Sequence, residues 1–94
     1  MEFIIPKKFK IFDSEYTVKQ VKLVDEDDSM GEHDYETRVI RIRKGMLENE
    51  KEKIFFHEAI HCILEQLGYD KLSSDEKLVH QMASCIHQII KTAK

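Results

Sequence analysis

The sequence predicts an α+β fold: a small, mostly antiparallel sheet from the N-terminal half, packed on two long C-terminal helices. Three observations carry this. Up to about residue 43, apolar residues alternate with polar ones, the period of a half-buried strand. From about residue 48 they recur at helical spacing. A glycine, Gly68, and a Ser-Ser-Asp-Glu run, Ser73 to Glu76, separate two such helical stretches.

Phe9-Lys10-Ile11-Phe12 and Tyr16 to Val24 both alternate around Asp13-Ser14-Glu15, which predicts a hairpin. Asp25 to Ser29 is a polar loop, and Met30 to Tyr35 a short strand. Arg38 to Arg43 is a further strand with Ile40 and Ile42 inward, Arg41 and Arg43 outward, and Val39 off the pattern. Gly45 ends it. The first long helix begins near Glu48 to Glu50 and ends at Leu67, with Gly68 as a left-handed cap. Tyr69 to Leu72 is a loop. Ser73 is the expected N-cap of the second helix, with Glu76 completing a capping box. That helix runs to about Thr92, with Leu78, Met82, Cys85, Ile86 and Ile89 as its core stripe.

Ninety-four residues, 41% hydrophobic and 35% charged, form a single domain, residues 1–94, with a thin core. The net charge of −3 argues against a nucleic-acid partner. No apolar run approaches the ~20 residues of a membrane span, so no membrane association is expected. The start, Met1 to Pro6, is too short and too acidic for a signal peptide. Two cysteines, Cys62 and Cys85, make no disulfide framework; the expectation is buried free thiols in a reducing, cytoplasmic setting. The acidic run Asp25, Glu26, Asp27, Asp28, Glu32, Asp34, Glu36 and the basic Arg38, Arg41, Arg43, Lys44 after it are best explained as solvated surface.

One motif carries chemistry. His57-Glu58-Ala59-Ile60-His61 reads H-E-x-x-H inside the first helix. Histidines four apart share a helix face, about 6 Å apart along the axis and about 40° around it. Both can reach one zinc ion, and Glu58 between them can take a proton from a water on that ion. Composition alone would produce the motif in about 3% of shuffled chains, so context decides. Phe56, Ile60, Ile63 and Leu67 line one face of the helix, and Phe55, Ala59 and Cys62 a second. That describes a buried central helix, where two histidines and a glutamate need compensation. They could be satisfied core histidines bonded to a glutamate; zinc compensates all three at once. Cys62 points ~100° away from His61, which argues against its being a ligand.

A third protein ligand is needed. The second helix carries Glu76, His80, Ala83, His87 and Ile90 on one stripe, and small Ala83 lets that face lie close to the first helix. Glu76 and His80 are one turn apart, and both are candidates. His87 lies about 16 Å from Glu76 along the axis and is expected to be a partly exposed helix histidine.

At these residues the chain resembles the small phage- and mobile-element-associated gluzincins related to the ImmA/IrrE-type metallopeptidases. The resemblance runs from about Gly31 to Lys94. It rests on the glycine-bearing segment Gly31 to Tyr35, the Ile40-Arg41-Ile42 strand, the H-E-x-x-H helix, and a following helix that opens on an acidic residue. Glu76, Val79, His80 and Ala83 match the family's pattern in that helix. His80 stands where the family commonly has asparagine. The metzincin extension is absent, with Glu65, Gly68 and Lys71 at its spacing. The resemblance implies a minimal zincin-like fold and Glu76 as the third zinc ligand beside His57 and His61.

The implied function is zinc-dependent peptide-bond hydrolysis of a peptide or protein substrate. Two histidines and a glutamate leave room for water, the mark of a catalytic site. Glu58 is the expected general base. His80, His33, Tyr35 and Tyr69 are candidates to stabilise the oxyanion, His80 being assigned to the catalytic set. Gly31 to Tyr35 is the candidate edge for an extended substrate. The other reading is a zinc-stabilised interaction module without catalysis; Glu58 argues against it, because a purely structural site has no use for a base.

Overall fold

The computed structural model describes residues 2–24 and 29–94. The acidic run at 25–28 therefore lies outside the described residues. Four strands, β1 (Lys8–Ile11), β2 (Ser14–Val21), β3 (Gly31–Asp34) and β4 (Val39–Arg43), precede three helices, α1 (Glu48–Gln66), α2 (Asp70–Ser73) and α3 (Glu76–Thr92). The fold is α+β, as the alternation and the helical spacing imply. The strands form one sheet in the order β1-β2-β4-β3. β1–β2 and β3–β4 pair antiparallel, and β2–β4 pair parallel.

The hairpin reverses earlier than expected. Ile11 pairs with Ser14, so Phe12 and Asp13 make the turn instead of Asp13-Ser14-Glu15. Phe12 is left-handed there, at φ 54°, and 71% exposed. This register pairs Phe9 with Tyr16, whose rings stack at 5.2 Å. Tyr16, Val18, Ile40 and Ile42 point to one face of the sheet and bury against Phe55, Ala59 and Cys62 of α1. The opposite side of α1 places Ile60 and Leu64 against Val79 and Ala83 of α3. α1 is thus the middle layer between the sheet and α3. Ile63 and Leu67, expected on its apolar face, are 39% and 49% exposed.

α1 ends as predicted. Gly68 has φ +82°, its N–H reaches the Glu65 carbonyl at 3.1 Å, and the Tyr69 N–H reaches Leu64 at 2.8 Å. That pair of bonds is the Schellman arrangement. The connection to α3 differs from expectation. Asp70–Ser73 is a short helix, not a loop, and α3 is capped by Asp75, whose Oδ1 accepts from the Leu78 N–H at 3.1 Å. Ser73 is no cap; it is buried.

α3 also presents a different face. Val79, Ala83 and His87 are buried, whereas Met82, Cys85 and Ile89 of the expected core stripe are exposed. Small Ala83 permits close approach to α1, and polar bonds from both ends of α3 to α1, through Glu76 and His87, fix its rotation. No helix is long and apolar enough to cross a membrane among the described residues.

Candidate metal centre

His57 and His61 project from the middle of α1, one turn apart, toward the first turn of α3. Their Nε2 atoms stand 3.3 Å apart. Glu76 closes the triangle: its Oε2 lies 3.0 Å from His57 Nε2 and its Oε1 3.1 Å from His61 Nε2. Because Asp75 takes the capping role, the Glu76 carboxylate is free to turn to the histidines. Among the described residues this is the only group of three His, Cys, Asp or Glu side chains whose donor atoms so converge, all within 4.8 Å.

The donor set fits a metal. Tetrahedral ligands at the usual zinc distance of about 2.0–2.1 Å stand about 3.4 Å from one another. The triangle observed has nearly that size. His61 is also held in the useful tautomer: its Nδ1–H donates to the Ser73 Oγ at 3.1 Å, which leaves the Nε2 lone pair for a cation. Ser73 in turn reaches back to the His61 carbonyl at 3.5 Å. His61 is buried and Glu76 is exposed, so the cluster sits at the rim of the α1–α3 seam.

Beside it lies a cleft of about 450 Å³, lined by Ser29, Met30, Gly31, Glu50, Lys53, Ile54, His57, Glu58 and His80. Glu58 is thus brought to the cleft but stays outside the donor triangle. His80 lines the cleft too; its ring is 6.2 Å from that of His57, and it is not part of the converging group. Of the two third-ligand candidates, the geometry brings Glu76 to the histidines.

The oxyanion candidates separate. Tyr35 and Tyr69 are 60% and 54% exposed, and neither borders the cleft. His33 has no free nitrogen to offer. Its Nδ1–H donates to Glu58 Oε1 at 2.9 Å and its Nε2–H to Glu65 Oε1 at 3.0 Å. The hydrogen bond to Glu58, reinforced by Glu65 against the opposing effect of burial, raises the His33 pKa to about 9. Its ring stacks on His61 at 5.1 Å. The bonds join residues 25 and 32 positions apart, so no local pattern could have revealed them. His80 remains, with access to the cleft.

Cys62 is buried against the sheet, and burial first, then the Glu65 and Glu58 carboxylates, pushes its thiol up to about 12. It is an inert core thiol. Cys85, expected to be buried, is exposed. His87, expected to be partly exposed, is buried and hydrogen-bonded through Nε2 to Glu52 Oε1 at 2.9 Å, with Lys91 Nζ on the same oxygen at 3.2 Å.

β3 borders the centre and is an edge strand. The Arg43 N–H bonds the Met30 carbonyl at 2.9 Å, so in this register Glu32 and Asp34 face β4. The backbone groups of Gly31 and His33 therefore point to the open edge.

Comparison with protein-family models, with curated proteins and with solved structures finds no match to this chain.

Proposed function

We propose that this chain is a zinc-dependent peptidase of the gluzincin type, with His57, His61 and Glu76 holding the ion. The observation that carries the reading is the convergence of two imidazole nitrogens and the Glu76 carboxylate, at 3.0–3.3 Å, on the rim of a cleft that also holds Glu58. A zinc ion held there supplies a Lewis acid for a peptide carbonyl and acidifies water.

The chain's own residues supply the rest. Glu58, within the cleft but outside the donor triangle, accepts a proton from water and returns it to the leaving amine. His80 faces the same cleft and donates to the developing oxyanion. An extended peptide pairs with the outward backbone groups of Gly31 and His33, and Gly31 also lines the cleft. The absence of disulfides, with Cys62 and Cys85 free, supports a reducing cytoplasmic setting.

The test combines metal content with one substitution. Purified protein should hold about one zinc, and Glu58→Gln should keep that zinc while cutting hydrolysis of a protein substrate by about 10²–10⁴-fold. Equal rates for wild type and Glu58→Gln on every substrate cleaved would refute the enzyme. If neither cleaves and both bind one partner equally, the zinc-stabilised interaction module replaces it.

A further inference from the structure

Glu58 does not stand alone in the cleft. One of its oxygens, Oε1, is taken by His33 at 2.9 Å. The other nitrogen of His33 is taken by Glu65 at 3.0 Å. Glu58 and Glu65 are seven residues apart, two turns of α1, and so share a face. The rigid imidazole spans them while its flat side lies on His61, with an interplanar angle of 16°. All three side chains are largely shielded, at 18%, 10% and 21% exposure for His33, Glu58 and Glu65. His33 thus has one ring nitrogen on the proposed base, one on an anchor, and none for substrate.

The strand that carries His33 is built to lie this close. At Gly31, two residues earlier, an added Cβ would collide with Ile54 Cγ2 of α1 and stand 3.7 Å from Glu58 Oε2. The second carboxylate oxygen therefore faces the glycine side, where the cleft opens.

We propose that His33, itself anchored by Glu65, is a positioning residue that holds Glu58 Oε1 so that Oε2 faces the cleft. Its consequence for catalysis rests on reading Glu58 as the proton acceptor; the orientation itself does not. A plain glutamate in mid-helix samples several rotamers, and proton transfer needs one of them. His33 selects it from the sheet, and Glu65 keeps His33 from turning away.

The test uses the full, zinc-loaded chain and four variants: His33→Ala, His33→Gln, Glu65→Gln and the double His33→Ala/Glu65→Gln. All should bind zinc as wild type does, since the ligands are untouched. Crystal structures should show Glu58 in one orientation in wild type and in several in His33→Ala. On a cleaved substrate, kcat should fall about 10–100-fold in His33→Ala with KM unchanged. His33→Gln, which keeps an amide N–H for Glu58, should recover most of that loss. Glu65→Gln should cost less, and the double variant no more than His33→Ala, because Glu65 acts only through His33. An unmoved Glu58 in His33→Ala, a change confined to KM, or additive losses in the double variant would each overturn the proposal. Should His33→Ala fail to fold, His33→Gln and Glu65→Gln decide by the same readouts. Should wild type cleave nothing, the peptidase reading falls, and the orientation of Glu58 in the crystals alone judges the positioning role.

Discussion

Two histidine–carboxylate clusters tie α1 to α3, and they are chemically alike but differently finished. Toward the start of α1, Glu52 meets His87 and Lys91. Glu52 and His87 are 4% and 5% exposed, and two donors converge on one acceptor oxygen. Everything there is matched. In the middle of α1, His57 and His61 aim their Nε2 atoms at each other and at Glu76. Two imidazole nitrogens and a carboxylate pointed at one spot can share protons, as His–Glu hydrogen bonds, or can share a cation placed between them. The first cluster is complete as protein; the second is suited to completion by an ion. Convergence of three side chains that can each ligate, at a solvent-accessible rim, is what makes the second cluster a candidate metal centre.

The sharpest way to break this comparison is to remove the ion or its third ligand. Strong chelation, or Glu76→Ala, should abolish tight zinc binding and all zinc-dependent hydrolysis, and should lower the melting temperature. A ligand at about a thousandfold excess over its Kd adds about 4 kcal/mol to stability, all of which is then lost. Unchanged melting of zinc-bearing protein in chelator would show that the centre does not join the helices.

The converse experiment strikes the closed cluster. Glu52→Ala leaves His87 and Lys91 without their acceptor, and breaking a buried pair costs about 3–5 kcal/mol. Thermal unfolding should show a large drop while the folded protein still binds zinc stoichiometrically. Loss of zinc from folded Glu52→Ala would mean that the two clusters are one unit.

His80 gives a smaller effect and separates ligand from neighbour. His80→Ala should keep the metal and lower hydrolytic activity by about 10–100-fold. If His80→Ala loses zinc while Glu76→Ala retains it, the ligand assignment is reversed.

The smallest effect is in pH. Burial pushes the Glu52 carboxyl upward, but the His87 and Lys91 donors outweigh it and hold its pKa below the ordinary 4.5. A depressed folded pKa stabilises fully above the unfolded value and fades as pH falls through the folded one. The melting-temperature advantage of wild type over Glu52→Gln should therefore be constant near neutrality and shrink below pH 4.5. An advantage that grows on acidification would contradict the pairing.

Much of the fold is legible in the chain. Alternation in β2 and β4 places Tyr16, Val18, Ile40 and Ile42 inward, and period two leaves no other choice once one face is buried. Gly68 marks the end of α1 because it takes φ +82° without strain. His57 and His61 have to share a helix face. The start of α3 is less legible, because Ser73 and Asp75 are both good caps. The choice between them depends on whether Ser73 has a better partner, and it does, in His61. The exposure of Met82, Cys85 and Ile89 escapes the sequence for the same kind of reason: periodicity shows that a helix has an apolar face, not which of two faces meets its neighbour.

The features that the chain dictates unaided are therefore local and periodic: the strands, the end of α1, the His57–Glu58–His61 spacing and the α+β class. Those follow from backbone geometry within a few residues. It took the packed molecule to decide that Glu76 closes the donor triangle, that His33 crosses from the sheet to bridge Glu58 and Glu65, and that His87 is buried on Glu52. Each of these joins residues 15 to 35 positions apart, where the partner is set by how α1 packs between the sheet and α3, and by nothing in either residue's own neighbourhood.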